Sequence, residues 1–273
     1  MKPAAFNLTL ATSLEQALSV LAGEGAKPVS GGCSLGPMLN LRLARPAALV
    51  DLRRVGELRT LEGSATHLDI GAGWTHAEIE DGVVPDVTGG LMRRVAHGIA
   101  YRAVRNRGTI GGSIAHADPA ADWISTMTVL DATLLIRGPA GARACAMADF
   151  MLAAYTTTLA ADEIITAVRV PVLSAGAKTG YHKVCRKTGE FAQAIGAVVL
   201  DAGRGLARVV AGAVEAPPLV LVRAGECLKA GDSAGARAAA HDEIEAALAG
   251  HPEAFRALHQ VAVDRALTDA GLA

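Results

Sequence analysis

Arg105-Asn106-Arg107-Gly108-Thr109-Ile110-Gly111-Gly112-Ser113-Ile114-Ala115-His116-Ala117-Asp118-Pro119-Ala120-Ala121-Asp122 sets adjacent glycines between hydroxyl side chains and closes on two carboxylates. Paired glycines let a backbone turn through positive φ and come close to a ligand with no Cβ in the way. Successive N–H groups in such a turn form a concavity for anionic oxygens. A second segment of the same kind lies upstream, Val29-Ser30-Gly31-Gly32-Cys33-Ser34-Leu35-Gly36. Two such turns suit a long ligand with a diphosphate, so a dinucleotide is the natural candidate. A Cβ at Gly32 or Gly111 is then expected to occupy the ligand's place. Taken singly, each Gly-Gly also suits an ordinary strand-to-helix turn. The glycine spacing does not fit Gly-x-Gly-x-x-Gly, and no Gly-Lys-Ser/Thr occurs, which excludes a simple Rossmann dehydrogenase and a Walker A loop.

Working outward, Thr12-Ser13 followed by Leu14, Ala17, Leu18 and Leu21 has the spacing of a capped helix. Lys27 to Ser30 reads as extended, Leu35 to Leu43 as a short helix, and Ala48 to Leu52 as a strand. Residues 58–62 and 67–73 read as hairpin strands, Thr75 to Glu80 as a capped helical turn, and Gly89 to Ala100 as helix. Asp118-Pro119 suits a helix start over 120–129, with Asp118 as cap. Strands follow at 132–136 and 163–171, with a short helix at 147–154 between them. Beyond Gly176, residues 181–186, 195–201 and 206–213 suggest a small antiparallel sheet, and 234–248 and 252–267 are Ala-rich helices. The expected units are 1–54, 55–174 and 175–273.

The chain has 273 residues and is 51% hydrophobic, enough for a substantial core, yet only 3% aromatic, so Ala, Val, Leu and Ile must build it. A formal net charge of −1 with interspersed signs gives no nucleic-acid surface or polybasic membrane patch. No run approaches the roughly 20 apolar residues of a membrane span, and the N-terminal residues lack a secretory h-region. A cytoplasmic location is expected. Cys33, Cys145, Cys185 and Cys227 are scattered without a Cys-x-x-Cys pair, so no metal of its own is expected.

The individual side chains leave alternatives open. Thr109 and Ser113 flank amides suited to phosphate or ribityl oxygens. Asp122 suits a sugar hydroxyl or a solvated helix face. Arg102, Arg105 and Arg107 suit diphosphate neutralisation or a solvated face. His116 suits a proton donor or a hydrogen-bonded loop residue, and Lys183 a ligand edge or an exposed strand. No nucleophile–base arrangement is evident, and no catalytic side chain is expected, as when a cofactor carries the chemistry.

Together these segments resemble the flavin-binding medium subunit of molybdenum hydroxylases, the family of xanthine dehydrogenase and carbon monoxide dehydrogenase flavin parts. Ser30-Gly31-Gly32-Cys33-Ser34-Leu35 with Met38-Leu39-Asn40-Leu41-Arg42 resembles its first signature. Val104 to Asp122 resembles the second nearly throughout, and Tyr181-His182-Lys183 with Arg186 to Ala192 resembles a third. The resemblance implies an α+β chain: a p-cresol methylhydroxylase (PCMH) type FAD-binding fold of two N-terminal subdomains, plus a C-terminal antiparallel-sheet-and-helix domain. It implies FAD, with Pro28, Val29, Ser30, Gly31, Gly32, Cys33, Ser34 and Leu35 together with Thr109, Ile110, Gly111, Gly112 and Ser113 at the diphosphate and ribityl. Ala117 and Asp118 are further FAD-binding positions, Asp122 would meet the ribityl or adenosine hydroxyls, Ile165 would pack near the ring system and Lys183 would approach the flavin edge. Cys33 stands where His or Thr is commoner, which questions a side-chain contact there.

The function so implied is electron transfer. A large molybdopterin subunit oxidises the substrate, a small subunit with two [2Fe–2S] clusters passes electrons to FAD, and FAD reduces an external acceptor. Two other readings stand beside it: an assembly subunit that has lost its flavin, and a stand-alone flavin reductase or oxidase of the same fold.

Overall fold

The computed structural model describes residues 2–272. It is built on three main sheets, each with its own helices.

The first sheet is parallel, with β1 (Asn7–Leu10), β2 (Ala26–Val29) and β3 (Ala48–Asp51) in the order β1-β3-β2. Helix α1 (Leu14–Leu21) links β1 to β2, and Ser13 caps it by accepting from the Gln16 amide. Its apolar stripe meets Val50 and Leu52 on one face of the sheet. Residues Leu35 and Leu39 of α2 (Leu35–Asn40) pack with Leu49 on the other. Alternation along β3 thus serves two helical layers. Strand β1 escapes the sequence pattern because it is short, lies at an edge and is mostly exposed.

The second sheet is antiparallel: β4 (Leu61–Gly63), β5 (His67–Gly71), β6 (Thr133–Gly138), β7 (Gly141–Ala146) and β10 (Ile164–Pro171), ordered β4-β5-β10-β6-β7. Helices α3 (His76–Glu80), α4 (Leu91–Gly98), α5 (Arg102–Arg105), α6 (Ile110–His116) and α7 (Asp122–Val129) lie between β5 and β6 in sequence. Every residue of α7 is buried. The inward positions Leu68, Ile70, Leu134, Ile136, Val168 and Val170 share one core with it.

Several expectations are corrected here. Residues Gly56–Arg59 form a 3-10 turn, so the strand begins only at Leu61. The expected helix over 147–154 stops at Phe150 as α8 (Met147–Phe150) and continues as β8 (Met151–Ala153), which pairs with β9 (Thr156–Thr157). Asp118 is not the cap of α7. Its carboxylate accepts from the Ala120 amide in a local turn, and the helix starts at Asp122.

The third sheet orders β11 (Lys178–Val184), β12 (Ala194–Asp201), β13 (Leu206–Gly212) and β14 (Leu219–Val220) antiparallel in sequence order. Val198 faces α9 (Val222–Lys229), α10 (Ser233–Ala247) and α11 (Glu253–Asp269), while Ala197 and Val199 join the core around α7. Being covered on both faces, β12 reads as an unbroken apolar run.

Candidate functional site

The first glycine segment leaves the carboxyl end of β2, where open α/β sheets place their ligands. Gly32 turns at φ +73°, a left-handed conformation that favours glycine. The amides of Gly31, Gly32, Cys33, Ser34 and Leu35 donate to no group of the chain among the described residues. Five successive unclaimed N–H groups running into a helix start form an anion cradle.

The second glycine segment behaves differently from its expectation. It is the start of α6, with Thr109 as cap: the Thr109 hydroxyl accepts from the Gly112 amide at 3.1 Å and donates to Ser30 Oγ at 3.2 Å. The Ile110 amide donates to the Trp74 carbonyl, Gly111 to Ala72, and Ser113 to Thr109, each at 3.0 Å. These donors are engaged within the chain. A Cβ on Gly111 would overlap the Ala72 side chain, so this glycine serves the packing of α6 on the turn after β5 and not an open ligand space. At Gly32 the nearest atom to such a Cβ is Val29 Cγ2 at 3.7 Å, so the limit there is backbone strain.

The two segments clasp one another. A Cβ on Gly31 would overlap the Arg107 carbonyl and stand 2.8 Å from Gly108 Cα. Arg107 Nε donates to the Gly31 carbonyl at 3.2 Å, and the Cys33 thiol lies 3.7 Å from the Val104 carbonyl. Beside this clasp lies a cleft of about 230 Å³ lined by Ser30, Gly31, Leu52, Arg53, Arg59, Gly73, Thr75, Asn106, Arg107 and Thr109.

Behind the cleft, Arg105 is buried and donates to both Glu80 oxygens and to the carbonyls of Ile99 and Ala100. Arg102 reaches Glu80 and Asp81, and His97 reaches Glu80. Burial opposes ionisation of Glu80, but the Arg105 guanidinium and its neighbours outweigh this and hold the carboxyl below its ordinary value. Of the three arginines in the run, only Arg107 lines the cleft.

His76, beneath Gly108, is buried and its Nδ1 accepts from the Trp123 indole at 3.0 Å. Burial, then the charge of Arg105, push its pKa down from 6.5 to about 4. The folded chain holds this ring neutral, whereas the unfolded ring takes up a proton near 6.5. Stability is therefore full above about 6.5 and falls as pH drops toward about 4, by roughly 3 kcal/mol from this group. Urea midpoints across that window should show the loss, and a His76→Gln chain should lack its share. Parallel profiles for the two chains would contradict the assignment.

Asp122 and Lys183 come together in a separate buried cluster. Asp122 Oδ1 receives the Tyr181 hydroxyl at 2.7 Å and the Lys183 ammonium at 2.9 Å, and Lys183 also donates to the Gly98 carbonyl at 2.7 Å. Burial pushes the Asp122 carboxyl up, opposed by Lys183 and Tyr181. Burial and then the Asp122 charge push the Tyr181 hydroxyl well above its ordinary value. Neither Asp122 nor Lys183 lines the cleft. Ile165 lies in the core of the second sheet. Ala117 closes α6 at φ +51°, and Asp118 receives the Tyr155 hydroxyl at 3.4 Å. His116 packs against the Tyr155 ring, and burial lowers its pKa.

Sequence reasoning did not single out Leu52, Arg53, Arg59, Gly73, Thr75 or Asn106. One signal was available: the capping box of Thr75 with Glu78 also fixes Glu78 as the carboxylate that holds Arg59.

Residues 4–173 match the family model described as the FAD binding domain in molybdopterin dehydrogenase. The chain belongs to this family. Its cofactor is FAD, and it is the flavoprotein component of an oxidoreductase. It is similar to the glyceraldehyde dehydrogenase medium chain of Sulfolobus acidocaldarius, 37% identical over 71% of this chain and 69% of that one. It is also similar to the carbon monoxide dehydrogenase medium chain of Afipia carboxidovorans, 38% identical over 75% of this chain and 72% of that one. Among solved structures, a chain of quinoline 2-oxidoreductase from Pseudomonas putida 86 matches with a TM-score of 0.88 at 34% identity, covering 99% of this chain and 98% of that one. A chain of carbon monoxide dehydrogenase from Hydrogenophaga pseudoflava matches equally well at 32% identity, covering 99% of each. The α+β fold expected from sequence is the fold of these chains. The flavoprotein's unclaimed amides at 31–35 and its arginine-lined cleft fit a dinucleotide diphosphate.

Proposed function

We propose that this flavoprotein is the medium subunit of a multi-subunit molybdenum hydroxylase, working with a large molybdopterin subunit and a small [2Fe–2S] subunit in a cytoplasmic heterotrimer. The observation that carries this reading is the clasp of the two glycine segments, with five unclaimed amides at 31–35 on one loop of it and a cleft beside it that Gly31 lines. In this reading, residues 28–35 hold the diphosphate, with Thr109 to Ser113 alongside. Ala117, Asp118, Asp122, Ile165 and Lys183 serve the remainder of FAD. FAD supplies reversible electron carriage between the iron–sulfur clusters and an external acceptor.

This chain's own residues bind and orient. Thr109 locks α6 and meets Ser30, Arg107 ties one segment to the other, and the Glu80–Arg105 pair fixes the run that leads into them. The three units are assigned to 1–54, 55–174 and 175–273, following the three sheets and their helices.

Native purification tests the proposal. The chain should elute with the molybdopterin and iron–sulfur subunits and show the paired blue and near-ultraviolet bands of bound flavin. A colourless chain, or one that alone turns over a substrate hydroxylated at molybdenum, would overturn it.

A further inference from the structure

We propose that Arg107 is the residue by which this flavoprotein selects a diphosphate, its free guanidinium edge taking the phosphate oxygens beside the 31–35 amides. The inference rests on the reading that the cleft receives the FAD diphosphate.

Three guanidinium groups line the cleft, and two are already committed. Arg53 donates from Nε to both Asp51 oxygens, at 3.0 and 2.9 Å. Arg59 donates to both Glu78 oxygens and to the Gly73 carbonyl, and lies over the Trp74 ring at 4.2 Å. Each of these charges is matched by a carboxylate that engages two nitrogens of the guanidinium. Arg107 differs. It donates once, from Nε to the Gly31 carbonyl, and among the described residues no carboxylate pairs with it.

One guanidinium charge is thus left unbalanced in the cleft, on the side chain anchored to the cradle loop. With Nε held, the two Nη groups present a planar donor pair, and that geometry matches phosphate oxygens. The charge is felt inside the loop. Burial pushes the Cys33 thiol up, and the Arg107 charge acts against that push. Arg102 and Arg105 have no such freedom, since Glu80 and Asp81 hold them. The class of ligand follows from the balance: a pyrophosphate diester satisfies the spare charge, whereas a flavin without phosphates does not.

The test uses the full-length chain stripped of flavin, wild type against Arg107→Gln, with FAD, ADP and riboflavin as probes. Arg107 is exposed, so its replacement spares the core. The substitution should weaken FAD, and ADP as its competitor, by roughly ten- to a hundredfold. It should flatten the salt dependence of both, because a screened charge contact has gone. Riboflavin affinity should not change, and Arg107→Lys should restore part of the loss. Equal weakening of riboflavin and FAD would assign Arg107 a general structural role and overturn the proposal. So would unchanged FAD and ADP affinities in Arg107→Gln. A parallel Gly31→Ala chain separates the two readings. If it loses FAD while Arg107→Gln does not, the cleft stands and the arginine's role falls. If neither variant alters FAD binding, the cleft assignment itself falls.

Discussion

Gly31→Ala is expected to lose FAD on purification, with affinity down on the order of a hundredfold or more. The added Cβ has no space, because the Arg107 carbonyl already occupies it and Gly108 Cα stands 2.8 Å away. Both obstacles are backbone, so relief requires the two segments to part. Parting them breaks the Arg107 Nε contact to the Gly31 carbonyl and the Thr109 contact to Ser30. It also displaces the loop that carries the unclaimed amides of residues 31–35. Amide contacts to a charged group contribute about 1.5–3 kcal/mol each, so losing two accounts for the expected drop. Gly32→Ala should be milder, near the ~1–2 kcal/mol of an L-residue held in the left-handed region, since the added Cβ would meet Val29 Cγ2 at an ordinary contact distance of 3.7 Å. The check is flavin content per chain, followed by FAD titration of the stripped chain, with circular dichroism to confirm the fold. Stoichiometric FAD at wild-type affinity in Gly31→Ala would remove the clasp from the site.

The order Gly31 before Gly32 was not readable from the sequence, and the reason is physical. Local sequence reports where a backbone is free to turn, but not what it will press against. Gly31, Gly32 and Gly111 carry the same letter and do three jobs: contact with another loop's backbone, a left-handed turn, and contact of a helix with Ala72. Elements with strong local signals were legible. The Thr75–Glu78 capping box, the apolar stripe of α1 and the unbroken apolar run of β12 fall where their periodicity puts them. Strands β1 and β7 were not, because exposed edge strands made of small or mixed residues carry no alternation. The loop with the unclaimed amides lies within the segment 28–35 expected from the sequence. Arg59 was not legible, since Glu78 holds it through a tertiary contact, nor was Arg53, which is held locally by Asp51 but meets the rest of the cleft only through folding of distant segments.

Lys183→Met should destabilise the chain by about 3–5 kcal/mol at neutral pH, the scale for leaving a buried charge without its partner. Asp122 sits at the start of α7, enclosed by the α4 end and by β11, and its carboxylate has two partners, Lys183 and Tyr181. Tyr181 alone offers one neutral donor. Without Lys183 the burial effect is less opposed, and the Asp122 carboxyl rises further above its unfolded value of 3.8. A carboxyl raised in the folded state gives stability that is complete below the unfolded value and lost as pH climbs through the folded one. The Lys183→Met deficit should accordingly be largest at neutral pH and shrink on acidification, as Asp122 takes a proton and becomes a neutral donor. Asp122→Asn with Lys183→Met should recover part of the single-variant loss, because no unpaired charge remains, giving a favourable coupling in the double-mutant cycle. Urea midpoints for the four chains at neutral and mildly acidic pH measure both effects. A deficit that is the same at both pH values, or strictly additive variants, would mean that Lys183 contributes packing of its methylene stem and not the charge that the buried carboxylate needs.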